Sequence, residues 1–388
     1  MGKKVKNNKK KSKQQKAQEK QQREKKRIAN LPFVSVCTPT FNRRPFFEYA
    51  IKNFTEQDYP AERMEWIIID DGTDPIEDLV KDVPGVKYFY VEEKMKLGRK
   101  RNMMHDKSSG DIIVYMDDDD YYPRDRVSHA VTMLQKNPNA LCAGSSAIYI
   151  WFKHIEKMFK FGPYGPNHST AGTFAFRKEL LLQTRYDDDA ALAEEKHFLK
   201  NYTIPFVQLD PLKTILVFSH IQNTFDKREL LVNWEKNKTI SETNVTVDDF
   251  IVNKDVKEFY TERLNDLLAK YEPGDMKHKP DVIKQTKEIK EKRAQMSQDM
   301  VDKQKSAIVI TQNGVQTALT NGQVKQVMQQ QQTANIELKK QVEKLTIENK
   351  KLLLIVKRLK DKIEGKYPTD TVDTTDISQN MSISINDL

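Results

Sequence analysis

Four apolar runs limit what this chain can fold into: "FVSVCT" (33–38), "MEWIIID" (64–70), "VKYFYV" (86–91) and "DIIVYM" (111–116). Each is nearly continuous in its hydrophobicity, as expected of a strand buried on both faces. Helical patterns separate them. "RRPFFEYAIKNFTEQ" (43–57) places Phe47, Ala50, Ile51 and Phe54 at helical spacing, and "GRKRNMMHDKSS" (98–109) reads as a second helix. After the fourth run Pro123 opens a further helix through Val127, Val131 and Leu134, because proline suits the first helical turn. Buried strands alternating with helices predict an α/β fold with a mostly parallel sheet flanked by helices. Ligands of such sheets bind beyond the carboxyl ends of the strands.

Three of those ends are polar: "TPTFN" (38–42), "DDGT" (70–73) and "DDDD" (117–120). Carboxylates gathered on one sheet edge repel one another unless something positive joins them. Mg and Mn are hard cations suited to such oxygen ligands. Side chains alternate along an extended segment, so Asp117 and Asp119 are expected on one side and Asp118 and Asp120 on the other. One pair can hold a metal that bridges nucleotide phosphates, and the other can bond ribose or backbone. An EF-hand beginning at Asp117 would need Gly and Glu where Tyr122 and Ser128 stand, so that alternative fails. No P-loop is present, and no GxGxxG follows the first strand.

Beyond residue 140 the pattern is coarser. "ALCAGSSAIYIW" suggests one or two strands, "FKFGPYGPNHSTAG" a Gly/Pro-rich loop, "TFAFRKELLLQ" a strand passing into a helix, and "TILVFSH" (214–220) another strand. "TQNGVQTALTNGQ" reads as a linker. The expected division is a basic disordered tail (1–31), a catalytic α/β domain (32–235), a polar helical or linker region (236–330), a coiled coil (331–364) and a disordered tail (365–388). The net charge of +9 is unevenly spread: residues 1–27 carry thirteen Lys or Arg and two Glu, which leaves −2 for the rest. That tail is a candidate for contact with anionic surfaces such as nucleic acid or lipid. It lacks the apolar core of a signal peptide, and no run approaches the length of a membrane span. Cys37 and Cys142 form no metal or redox motif, so a reduced, cytoplasmic setting is expected.

"VSVCTPTFNR", "IIIDDGT", "LGRKRN" and "GDIIVYMDDDDYYP", in that order, resemble the nucleotide-sugar-binding half of the family 2 glycosyltransferases, which have the GT-A fold. The resemblance spans roughly residues 32–235. It implies that Thr38, Pro39, Thr40, Asp70 and Asp71 hold the nucleotide base, usually uracil. It also implies that the DxD element, Asp117 to Asp119, holds ribose, diphosphate and a Mn or Mg ion, most firmly on Asp119. Arg101 matches a basic residue near the diphosphate, whereas Arg99 faces elsewhere on its helix. Inverting members use a carboxylate as base after a passage like "GTFAFRKELL"; here Glu194 and Glu195 are the candidates, although the family prefers Glu-Asp. Asp187 to Asp189 are less well placed. His220, before "IQNT", is a candidate to complete the metal shell or bond the leaving diphosphate.

The implied activity is transfer of a sugar from a UDP-sugar to a hydroxyl of a glycan, protein or lipid, with inversion. Two alternatives stay open: a nucleotidyltransferase, which also uses clustered Asp and metal, and a non-catalytic sugar-nucleotide-binding scaffold. At the C-terminus Leu338, Leu345, Leu352 and Leu359 recur every seven residues, with Val342, Asn349, Val356 and Ile363 four residues after each. That is the seam of a parallel two-stranded coiled coil, and predicts a homodimer. Leu353 and Ile355 flank the seam and widen it.

Overall fold

The computed structural model describes residues 13–191, 195–305, 308–312, 315–319 and 321–365. It divides into two compact units, Met1–Lys290 and Glu291–Leu388, with the division inside one helix. In the first unit the elements up to the acidic turn are α1 (Lys13–Ala29), β1 (Val34–Thr40), α2 (Phe47–Thr55), β2 (Met64–Asp70), α3 (Glu77–Val80), β3 (Val86–Tyr90), α4 (Leu97–Lys107) and β4 (Ile112–Tyr115). Next come α5 (Arg126–Lys136), β5 (Cys142–Gly144), β6 (Ile148–Phe152), β7 (Lys157–Phe161), β8 (Ala175–Arg177), α6 (Glu195–Phe198) and β9 (Phe206–Gln208). The unit closes with β10 (Leu216–Ser219), β11 (Ile240–Glu242), α7 (Lys254–Glu258), α8 (Leu264–Ala269) and the start of α9 (Pro280–Lys305).

Seven strands form the main sheet in the order β3-β2-β1-β4-β8-β5-β9, with β3, β2, β1 and β4 parallel. The strands alternate their burial between two helical layers. Val34, Val36, Trp66, Ile68, Ile112 and Val114 pack on one face against Phe47 and Phe54 of α2 and Val127, Val131 and Leu134 of α5. Cys37, Ile67, Ile69, Ile113 and Tyr115 pack on the other, against Met104 of α4 and Phe174, Phe176 and Phe198. Each such large side chain contributes roughly 1.5–3 kcal/mol on burial. This is the mostly parallel, doubly covered sheet expected from the sequence.

Two pairings bring distant segments to the acidic turn. β8 runs antiparallel to β4, with Val114 opposite Ala175, which sets the segment 171–174 beside residues 115–117. β10 belongs to a second sheet, ordered β10-β6-β7-β11, but Tyr121 bridges to Leu216, which carries the end of β10 alongside the aspartates. A third apolar cluster joins Phe46, Tyr49, Leu216 and Phe218 to Val247, Phe250, Val256, Phe259, Leu264 and Leu268. Residues 247–268, expected within a polar region, thus bury a full apolar face.

Two local expectations are corrected. Residues 13–29, expected to be disordered, form α1: Lys, Gln, Glu and Ala all favour helix, no Gly or Pro interrupts them, and the helix stays solvated. The expected linker forms a hairpin, β12 (Ile308–Gln312) with β13 (Val315–Leu319), Gln312 opposite Val315. In the second unit it is followed by α10 (Asn321–Ile363), a helix of 43 residues. The segments 1–12 and 366–388 lie outside the described residues.

Candidate functional site

β1, β2 and β4 end on one edge of the sheet, with Thr40 in register with Asp70. Beyond β4 the four aspartates alternate in burial. Asp118 and Asp120 are buried, while the side chains of Asp117 and Asp119 keep 27% and 15% exposure. The expected two-sided arrangement therefore holds at the level of burial. Asp120 turns inward, where one carboxylate oxygen accepts the Phe218 amide at 3.0 Å and its carbonyl accepts the Tyr260 hydroxyl at 3.0 Å. Burial, reinforced by the charge of Asp119, raises its pKa well above the ordinary carboxylate range.

The sequence argument assigned relief of the carboxylate repulsion to a metal. The structure shows the chain supplying much of it. Arg43 lies 3.7 Å from Asp118 and 3.5 Å from Asp119, and also donates to the Gln222 carbonyl at 2.9 Å. Arg101 stands 3.8 Å from Asp117 with its guanidinium 4.6 Å from the Tyr115 ring centre. For Asp118 burial prevails over Arg43 and lifts the carboxyl to about 7. For Asp119 burial is outweighed by the hydrogen bond to His220 and the Arg43 charge, which hold it below the ordinary range.

His220 faces Asp119, with Nε2 3.2 Å from the carboxylate, while its Nδ1 accepts the Gln222 amide at 3.2 Å. An Nδ1 that accepts carries no proton, so the proton sits on Nε2 and is donated to Asp119. Burial lowers its pKa to about 4, which keeps the ring neutral. In this arrangement His220 orients Asp119 and offers no lone pair to a cation; to ligate one, Nε2 would have to give up its proton.

At the base-binding end the assigned residues separate. Pro39 and Thr40 line a cavity of 470 Å³ together with Phe41, whose ring has the Lys94 ammonium 5.1 Å from its centre. Thr38 is turned into the fold, donating to the Met116 carbonyl at 2.6 Å and accepting from the Trp66 indole at 2.7 Å. Asp70 staples its own turn, accepting the Gly72 and Ile76 amides at 2.9 and 3.1 Å and the Tyr88 hydroxyl at 2.8 Å. Asp71 accepts the Met95 amide at 2.6 Å and pairs with Lys100, whose ammonium also donates to the Thr40 carbonyl at 2.8 Å. Arg99 is exposed.

Glu195 begins α6 and lines the same cavity as Asp117, Asp118, Asp119 and Arg101, with Oε1 accepting the Ala171 amide at 3.3 Å. Glu194 lies outside the described residues. The aspartates before them are structural: Asp188 accepts from Asn102 at 2.7 Å and Asp189 pairs with Lys96 at 2.5 Å, pinning the loop to the start of α4. A Cβ on Gly172 would meet Asp117 Oδ2 at 2.7 Å, so a larger residue here would push that carboxylate out of its present position.

Sequence reasoning missed Arg43, Lys100, Lys227 and Lys279, which all line the cavity. Arg43 follows "TPTFN" directly and Lys100 sits within "LGRKRN", so both were within reach; Lys227 and Lys279 carry no local signal. Six basic residues, with Lys94 and Arg101, face six acidic ones: the four aspartates, Glu195 and Asp281. Burial favours the neutral forms of Asp118 and Asp120 and also lowers the pKa of Lys100 and of Lys279, the latter to about 7, so cations and carboxyls stay close to balance. Among the described residues no group of three His, Cys, Asp or Glu side chains is arranged to hold a metal by itself. Magnesium-type ions commonly take one or two carboxylates plus substrate phosphates. Asp117 and Asp119, both open to the cavity, fit that pattern.

Residues 35–183 match the family model described as Glycosyl transferase family 2. A GalNAc(5)-diNAcBac-PP-undecaprenol beta-1,3-glucosyltransferase of Campylobacter jejuni is 33% identical over 116 residues, 28% of this chain and 35% of that protein. An uncharacterized glycosyltransferase of Haemophilus influenzae is 26% identical over 123 residues, 30% of this chain and 48% of its own length. The chain thus spans between a third and a half of the length of these two curated relatives. Among solved structures, the mannosyltransferase PcManGT from Pyrobaculum calidifontis, in complex with GDP-Man and Mn2+, is 19% identical, with 49% of this chain and 57% of that one covered at a TM-score of 0.40. S. aureus TarS 1-349 in complex with UDP is 15% identical, with 74% and 96% covered at 0.39.

Proposed function

We propose, given that this chain carries in residues 35–183 a domain of glycosyl transferase family 2, that it transfers a sugar from a UDP-sugar to a hydroxyl of a glycan, protein or lipid acceptor, inverting the anomeric carbon. One observation carries this reading: a single cavity gathers the acidic turn, Arg101 and Glu195. Pro39, Thr40 and the Phe41 ring offer a surface for the base. Arg101 and the basic residues around the turn hold the diphosphate. A Mn or Mg ion held by Asp117 and Asp119 would supply neutralisation of charge on the departing diphosphate.

Glu195 accepts the proton of the acceptor hydroxyl, whose oxygen bonds to the anomeric carbon as the sugar–phosphate bond breaks and its electron pair leaves with UDP. The Ala171 amide, bonded to Oε1, aims the carboxylate. The loop 161–172 shapes the acceptor side. A homodimer formed through α10 and a basic N-terminal segment that touches anionic surfaces complete the proposal. Incubation with UDP- and GDP-sugars, with and without Mn, and measurement of free nucleoside diphosphate tests the activity. Glu195→Gln is expected to keep donor binding and lose roughly 100-fold or more in turnover. Wild-type turnover in that variant would remove Glu195 from the mechanism. Pyrophosphate release from a nucleoside triphosphate would establish the nucleotidyltransferase alternative instead.

A further inference from the structure

The segment 271–290 is tied down around the cavity at several separate points. Tyr271 donates through its hydroxyl to Asp74 at 2.8 Å, and Asn42 donates to the Pro273 carbonyl at 2.8 Å. Asp281 pairs with Lys94 at 2.5 Å, and Gln285 accepts the Ala191 amide at 2.8 Å. Lys290 reaches Glu229 at 2.9 Å. These anchors belong to the loops after β1 and β2, the approach to α4, the loop before Glu195 and the segment after β10. Lys279, Asp281 and Val282 face inward from this strap and line the cavity.

Lys279 stands apart from the other buried cations. Arg43, Lys100 and Arg101 each have a carboxylate within 4 Å, whereas Lys279 is only 4% exposed and its side chain makes no ion pair or hydrogen bond among the described residues. Burial lowers its pKa to about 7, and an anionic partner in the cavity would favour the charged ammonium. Lys279 immediately precedes α9, and its carbonyl accepts the Ile283 amide at 3.1 Å, which fixes its backbone at the cavity edge.

We propose that Lys279 binds the diphosphate of the nucleotide donor, and that the strap 271–290 is the roof of the donor site. The inference rests on the donor reading above and adds a binding residue from outside the segment that matches the family. It explains why the site keeps a buried amine with no protein partner: the ligand supplies the counter-charge.

The test is calorimetric titration of the full chain with UDP, GDP and uridine, for wild type, Lys279→Met and Lys279→Arg, alongside thermal melting without ligand. Lys279→Met removes the charge at nearly constant volume. It is expected to melt no lower than wild type without ligand, yet to bind UDP about 10- to 100-fold more weakly, with uridine binding unchanged, because a charge-assisted contact to the diphosphate is lost. Lys279→Arg should recover part of the loss. Equal UDP affinity in wild type and Lys279→Met overturns the inference and leaves the donor site standing. A wild-type protein that binds neither UDP nor GDP overturns the donor reading and the inference with it.

Discussion

Asp119 shows how much a single residue's role depends on its neighbours. Like-charge crowding by itself suggests that neutralising it should relieve strain. The His220 and Arg43 contacts reverse that expectation, because they hold the ionised form below the ordinary pKa range. A carboxyl depressed in the folded state adds stability that is present above its unfolded value of about 3.9 and is lost as pH falls through the lower folded value. Asp119→Asn is therefore expected to cost roughly 1–3 kcal/mol at pH 7. Urea unfolding of both proteins should show that gap narrowing as pH falls below about 4. Mn-dependent UDP binding should disappear in the same variant. A variant more stable than wild type at pH 7, or one with normal turnover, would refute this account of the acidic turn.

The elements that matter most are the start of α4 and the loop it holds. Gly98 lies so close to the loop that an added Cβ would collide with the Asp187 carbonyl oxygen, and its amide donates to the Ala190 carbonyl at 2.8 Å. Asn102, one helical turn on, donates to the Tyr186 carbonyl at 2.9 Å and accepts its amide at 3.0 Å. This clamp fixes the segment that leads into Glu195. Gly98→Ala should displace the loop at a cost of about 1–3 kcal/mol, typical of overpacking. Turnover should fall at least tenfold while the UDP dissociation constant changes less than threefold, since the displaced loop itself carries none of the proposed donor contacts, and Arg101 lies almost one helical turn further along α4. A fall in both to the same degree would show that the loop serves donor binding rather than placement of Glu195.

At the scale of the whole molecule the open question is assembly. α10 would extend about 65 Å as a straight helix, and its heptad leucines Leu338, Leu345, Leu352 and Leu359 are all more than half exposed. A continuous apolar row of that kind is expected to find a partner. Leu at d with Val342, Val356 and Ile363 at a favours two parallel strands, and Asn349 at a pairs best with its own copy. Light scattering should give a dimer for the full chain and a monomer for a version ending near residue 330. A monomeric full chain at micromolar concentration, or an unchanged oligomer after truncation, would rule out α10 as the interface.

What could be read from the sequence was whatever depends on near neighbours along the chain. The runs ending at Thr40, Asp70 and Tyr115 announce buried parallel strands because both faces must be apolar over a short, continuous stretch. The position of the acidic turn follows, because ligand sites lie where such strands end. The pairing of β12 with β13 was not legible: the stretch reads as a linker, because its strands are short and its residues largely polar. Tertiary structure decided which charges meet. Lys100 on α4 spends its ammonium on Asp71, His220 donates a hydrogen bond to Asp119, and Asp70 closes its own turn. Lys279 enters the cavity 160 residues along the chain from Asp119. No local pattern encodes such meetings. They depend on which loops the strand order brings over one sheet edge, and burial there decides which carboxyls stay charged and which lysine is left for a ligand.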